Sequence, residues 1–371
     1  SRSDIVAGAR LSLETVTDGL AVHRPAVAGV NGLVTAGHPL ASMAGMRILI
    51  QGGTAADAAV AVLATLNQVE PMMSGAGGNG FMTVYDAVTG RVQSLNATGA
   101  APKALEAGAV SADELNRGIR AGVVPGLVGG WVALLERFGT MTLREVLEPA
   151  IEYAEEGFAV TVKNHEFIKS NVPALLKFPS SAANYLKDGV GPRPGELLVQ
   201  KDLGQTFRAI AEGGSEVFYR GEIGERIVRF MEEIGGLITM EDLAGFHPEW
   251  QDPIHTTYRG YRVFAPPPPC QAVQYLEMLN ILEAFDLGAM GHNTVETLHL
   301  FIEAAKLATA DRVAYTGIEN PPTAGLISKE FAKTRRELIG DRAMCSGGET
   351  YTRSSDALSP GDPNAWMETE C

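Results

Sequence analysis

Residues 52–71 read GGTAADAAVAVLATLNQVEP. The run is so rich in alanine and other small side chains that a helix built from it gains stability only where neighbours approach closely on all sides. Thr54 or Asp57 suits its open N-terminus and Pro71 bars its continuation. A helix of this kind belongs inside a layered protein. Just upstream, NGLVTAGHPLASMAGMRILIQGG predicts a short strand over Leu33 to Thr35, then an amphipathic helix stopped by Gly52 and Gly53. Downstream, FMTVYDAVTGRVQSLN sets β-branched and aromatic residues on either side of Asp86 to Gly90, the pattern of a hairpin with a glycine turn. A β-ribbon therefore lies beside a buried helix pair.

From about residue 125 to 245 the helical period dominates. VPGLVGGWVALLERFG, TLREVLEPAIEYAEEG, DLGQTFRAIAEGG and EIGERIVRFMEEIGG each repeat apolar residues at three and four spacing and end near glycine, which predicts stacked amphipathic helices rather than a sheet. A strand pair, IHTTYRGYRVFA, runs into Pro266 to Pro269, read as a stiff loop fixing chain direction rather than a polyproline ligand. VQYLEMLNILEAFDLG and TVETLHLFIEAAKLATADRVAYTG follow as two core-facing helices. No internal repeat is apparent. From Asp341 onward the composition turns polar and Gly/Ser-rich without periodicity, so residues 1–340 form the folded unit and 341–371 a mobile tail.

Forty-four acids against 30 bases give a net charge of −14, which works against binding nucleic acid or an anionic membrane. No stretch reaches the roughly 18 uncharged apolar residues of a membrane span, and the first residues lack the apolar core of a signal peptide. The three cysteines, Cys270, Cys345 and Cys371, match neither a disulfide framework nor a zinc site. A reducing, cytoplasmic location is the expectation.

Gly75 to Gly80, GAGGNG, formally fits the dinucleotide fingerprint. That motif must follow a strand and open a helix whose N-terminus receives the pyrophosphate, and here the order is inverted. The loop reads instead as a tight passage whose glycines allow close backbone approach, for packing or beside a substrate. His299 and Glu303 fall on one helix face, as two metal ligands could, but no third ligand accompanies them and an ordinary surface contact is the better reading. There is no nucleophile elbow and no phosphate loop. The chain holds no self-sufficient catalytic set, and neither a metal nor an organic cofactor is expected.

Several blocks together resemble the γ-glutamyltranspeptidase family: GGTAADAAVAVLATLNQVEP, GAGGNGF, VPGLVGGWVALLERFGTMTL, PAIEYAEEGFAV, FYRGEIGERI, GGLITMEDLAGF and YRGYRVFAPPPP. They occur in the family's order from about Gly32 to Gly317. VEPMMSGAGGNGF and LNATGAAPKA look more like the cytoplasmic branch with oxamate amidohydrolase and cephalosporin-acylase-like members. The resemblance implies an α+β fold, the αββα sandwich of N-terminal nucleophile hydrolases, with this chain as its helix-rich larger subunit. It also implies a precursor that cuts itself before a threonine, a smaller C-terminal subunit as partner, and a dimer of heterodimers. The nucleophile would then be the partner's N-terminal threonine, whose α-amine, with a pKa near 7.7 to 8.0, can take the hydroxyl proton. Cys371 would mark the processing point, on the carboxylate side of the cut. The alternative from another class is a non-catalytic homologue that only binds a small amide or acid.

In the transpeptidases an arginine in a pattern ending R-E-x-A-P clamps the donor's α-carboxylate. The matching stretch here, NATGAAPKA, puts Thr98 at the arginine position and Gly99 at the glutamate position. The resemblance thus marks Thr98, with Asn96 beside it, as substrate-binding. Lys103 lies beyond the motif, and YTGIENPP replaces the family's usual Y-x-G-D-P. The expected substrate is an amide of a small acid, of γ-glutamyl, glutaryl or oxamate-like type, with γ-glutamyl donors bound weakly.

Overall fold

The computed structural model describes residues 27–106 and 108–343. The small-residue run forms α2 (Ala55–Val69), packed against α1 (Pro39–Ile50). A Cβ placed on Gly45 of α1 would lie 2.7 Å from Val62 Cγ2 and 3.3 Å from Ala58 O of α2, so a larger residue there would press on the neighbouring helix. Thr54 and Asp57 both serve the helix start, in a reciprocal capping box. Asp57 is fully buried and also reaches out of its helix, accepting from the backbone N–H groups of Thr140 (3.1 Å) and Met141 (3.3 Å). Burial pushes its carboxyl upward, but the N–H groups of Thr54, Thr140 and Met141 outweigh that and hold it below the usual carboxylate range. Asp57→Ala strands these donors in a closed space, and the expected loss is about 3 kcal/mol, read as a lower urea midpoint at unchanged slope. A loss under about 1 kcal/mol would mean that water reaches those groups.

The ribbon is as expected: β1 (Gly80–Asp86) and β2 (Arg91–Ala97) pair antiparallel, from Gly80 opposite Ala97 to Asp86 opposite Arg91. Four helices follow that matter to the core: α3 (Leu127–Phe138), α4 (Leu143–Glu156), α5 (Val162–Leu175) and α6 (Lys201–Tyr219), with α7 (Glu222–Ile234) beside α6. Then β3 (Glu249–Gln251) adds to β2, giving the sheet order β1-β2-β3. The glycines of VPGLVGG explain how α3 lies on this sheet. A Cβ on Gly130 would come 2.5 Å from Ala97 Cβ, and one on Gly126 would come 2.2 Å from Ala97 O. Trp131, Leu134, Leu147, Ile151, Phe207 and Ile210 fill the space between α3, α4 and α6.

A second hairpin, β4 (Ile254–Tyr258) with β5 (Tyr261–Ala265), turns through Arg259 and Gly260, both at positive φ. The prolines then lead into α8 (Val273–Leu282), which packs with α9 (Val295–Tyr315) and α10 (Lys329–Arg336) over Ile281, Leu300, Ala304, Leu307 and Ala332.

Three expectations need correction. Leu33 to Thr35 runs as irregular chain, because a strand exists only with a partner and no described strand lies beside it. The helical stretch from 125 to 245 also contains a two-residue pairing, Phe158–Ala159 with Leu197–Leu198, which staples the chain ends around α5. His299 and Glu303 do not act together: His299 Nε2 meets Gly340 O at 2.8 Å, while buried Glu303 pairs with Lys306 at 2.7 Å. Among the described residues no cluster suits a metal ion, and no helix is long and apolar enough to cross a membrane. Cys371 and the expected tail from residue 344 lie outside the described residues.

Candidate substrate cleft

The end of β2 delivers Asn96 and Thr98 to a cleft of about 340 Å³. Asn96 sits in mid-sheet, opposite Phe81 on one side and Glu249 on the other. Its Oδ1 accepts the N–H of Thr98 at 3.0 Å, so the carboxamide turns the chain sharply as it leaves the strand. Asn79 of the glycine-rich loop does the same one residue later, accepting Gly99 N–H at 3.0 Å. That loop is held in turn by α3, whose first N–H groups, Gly126 and Leu127, both donate to Gly78 O at 3.0 Å. GAGGNG therefore presents a carbonyl to a helix start and a side chain to the backbone just after Thr98.

Asn96 and Thr98 both line this cleft, and Thr98 is the more telling. Its Oγ1 is buried and has no hydrogen-bond partner among the described residues, which leaves one hydroxyl donor and acceptor uncommitted at the cleft. The next residue is fixed by space: a Cβ on Gly99 would lie 1.9 Å from Val124 O, an impossible contact. The family's glutamate cannot occupy this position without moving the backbone.

Lys103 does not reach back to act as a clamp. Its Nζ donates to Glu241 Oε1 at 2.6 Å, both side chains being largely exposed at the rim, and its backbone N–H donates to Asp242 Oδ1 at 3.1 Å. The bond from Glu241 raises the lysine's pKa above its ordinary value, so it stays charged and paired. Asp242 feels burial pushing it upward, yet the N–H groups of Lys103 and Thr239 and the Thr239 hydroxyl hold it below the usual range. His247, Phe246 and Glu249 complete the rim. Glu241, Asp242 and His247 were invisible as site residues in the sequence, since they lie some 140 positions from Thr98 and carry no local motif. Asn79 was detectable in principle, as the polar residue in a loop otherwise made of small ones.

What this geometry offers is a pocket with a neutral hydroxyl donor, a carboxamide and an acidic rim whose lysine is already engaged.

Comparison with known proteins places this arrangement. The family model described as gamma-glutamyltranspeptidase matches residues 41–365. Among curated relatives, the Acylase ACY 1 proenzyme of Pseudomonas sp. (strain V22) is 39% identical over 370 residues, covering 92% of this chain and 66% of the relative. The glutathione hydrolase-like YwrD proenzyme of Bacillus subtilis (strain 168) is 38% identical, over 86% of this chain and 62% of its own length. The chain thus spans a little under two thirds of these relatives. Among solved structures, Helicobacter pylori gamma-glutamyltranspeptidase superposes with a TM-score of 0.80 at 34% identity, over 86% of this chain and 95% of that one. Cephalosporin acylase from Bacillus halodurans gives 0.79 at 35%, over 94% of this chain and 65% of that one. The α+β N-terminal-nucleophile-hydrolase fold, with this chain corresponding to its helix-rich part, follows from these likenesses. The chain belongs to the gamma-glutamyltranspeptidase family.

Proposed function

We propose that this chain is the larger part of an autoprocessed amidohydrolase or acyltransferase that cleaves the amide of a small acid, of glutaryl or oxamate-like type, more readily than a γ-glutamyl amide. The amide carbon is attacked by the threonine hydroxyl at the start of a smaller C-terminal chain from the same precursor. The amine leaves with the proton, and water then releases the acid from the acyl-threonine. No residue of the present chain is assigned to bond making; Thr98 and Asn96 bind the acyl group.

The single observation behind the substrate preference is the unpartnered Thr98 Oγ1 beside a lysine already held by Glu241. A neutral hydroxyl bond contributes roughly 0.5 to 1.5 kcal/mol, against about 1.5 to 3 for one to a charged group. An α-amino-α-carboxylate therefore lacks the partner that would hold it. A free sheet edge supports such a partner: among the described residues the outer edge of β1 carries no strand, and a groove of about 520 Å³ is lined by Leu33, Val34, Met82, Val84 and Leu134. Strand addition there supports the two-chain reading. A dimer of such pairs in the cytoplasm is part of the proposal.

The test is a parallel assay of glutaryl, oxamate and γ-glutamyl amides on the two-chain enzyme. The glutaryl or oxamate amide should turn over faster than γ-glutamyl anilide or glutathione. Glutathione turnover as fast as the others, lost on changing Lys103 but not Thr98, would overturn the substrate assignment.

A further inference from the structure

A second cleft, of about 550 Å³, lies on the other side of the glycine-rich loop, where the loop faces the start of α6. Its chemistry is not explained by packing. Asn67, on α2, lines it and is only 3% exposed; its Oδ1 accepts from Ser74 Oγ at 2.6 Å, while its Nδ2 has no acceptor among the described residues. A buried amide donor left without a partner is costly, and stable folds rarely keep one without a use.

The wall opposite is a second, independent supply of donors. Helix α6 begins without a side-chain cap: its N-cap residue, Gln200, makes no capping bond, and its carboxamide is engaged with the Tyr185 phenol instead. The N–H groups of Lys201, Asp202 and Leu203, all three residues lining the cleft, therefore have no partner among the described residues, and the helix continues regularly to a kink at Gly214. On the loop side, the N–H groups of Gly75 and Ala76 likewise have no partner among the described residues.

We propose that this cleft binds the carboxylate of a small molecule, at a site distinct from the Thr98 cleft and independent of the amidohydrolase reading. The charges decide for a monoanion. The helix start contributes about half a positive charge, Lys201 one more, and Asp202 takes one away. The surplus is too small for a dianion, whereas the amide donors of Asn67 and the α6 N-terminus match the two oxygens of a carboxylate. Lys201 and Asp202 are exposed, so both can be exchanged without disturbing the core.

The experiment titrates the protein with trifluoroacetate, followed by fluorine NMR line broadening. Saturable binding in the millimolar range is expected. Lys201→Glu should weaken it about tenfold, and Asp202→Asn should tighten it about threefold, opposite signs that a change in folding would not produce. Asn67→Asp should also weaken it; should that variant fail to fold, the two surface changes carry the test. Absence of saturable broadening, tighter binding of inorganic phosphate than of trifluoroacetate, or affinity indifferent to Lys201→Glu and Asp202→Asn would each overturn the assignment.

Discussion

Replacing Glu277 by glutamine should make the protein markedly more stable at pH 8 and leave it nearly unchanged at pH 5. Glu277 on α8 is fully buried, facing Asp311 of α9 and Arg335 of α10, which are themselves 1% and 2% exposed. Arg335 holds Asp311 with a two-pronged bond, Nε to Oδ2 at 2.7 Å and Nη2 to Oδ1 at 2.6 Å, so the cluster has one cation for two acids. Among the described residues no N–H or O–H of a neighbour serves either oxygen of Glu277. The group is satisfied only by carrying its own proton and donating it to Asp311. Burial first, and the Asp311 charge second, push its pKa up to about 10.

The sign of the pH effect follows directly. A carboxyl near 4.5 in the unfolded chain and near 10 in the folded one keeps its full stability below pH 4.5, and loses it as pH rises between the two values. The slope is roughly 1.4 kcal/mol per pH unit at most, and the coupled Asp311 reduces it. Glutamine has the same shape, donates to Asp311 through its amide and does not titrate. The variant should therefore gain roughly 2 to 4 kcal/mol over the parent at pH 8, visible as diverging melting curves between pH 5 and 8. Parallel curves would mean that Glu277 is ionised in the fold. Arg335→Ala, by contrast, should unfold this part of the molecule, because it removes the one cation from a buried carboxylate.

That cluster marks the limit of what the sequence reveals. A cap for α2 from Thr54 or Asp57, the Asp86 to Gly90 hairpin and the close-packed α2 were legible, because each is decided within a few residues by turn chemistry, side-chain size or period, whereas the reciprocal box that uses both residues was not read. Leu33 to Thr35 has the local chemistry of a strand and is not one, since pairing is a property of two segments. The three-residue β3 was too short to carry a period. Contacts such as Lys103 with Glu241, 138 positions apart, and Arg335 with Asp311, 24 apart across two helices, are set by tertiary packing alone. Thr98 is marked in the sequence only by likeness to a family motif, and the engagement of Lys103 with Glu241 at its cleft is decided by the packing of distant segments.

The position of Thr98 can be tested by restoring the charge that the motif lacks. Thr98→Arg should lower the Michaelis constant for γ-glutamyl donors by about tenfold or more, the size of a charge-assisted bond to a carboxylate, with a smaller effect on the glutaryl amide. The change is structurally feasible because Thr98 is only partly buried, at the mouth of a cleft with Glu241, Asp242 and Glu249 on its rim to balance a new cation. Gly99 supplies the control. Copying the family's glutamate there places a Cβ where Val124 O already lies, at 1.9 Å, and breaks the approach that keeps β2 and the 124–126 segment together. Gly99→Glu, alone or added to Thr98→Arg, should therefore cost several kcal/mol of stability, on the order of 3 or more, and abolish the gain. A Thr98→Arg protein that folds normally yet handles γ-glutamyl and glutaryl amides as the parent does would show that this side chain does not meet the acyl group. Retained stability in the Gly99→Glu protein would show that the segment after β2 is looser than its contacts with Val124 imply, and would reopen the route by which a transpeptidase-like clamp could be rebuilt.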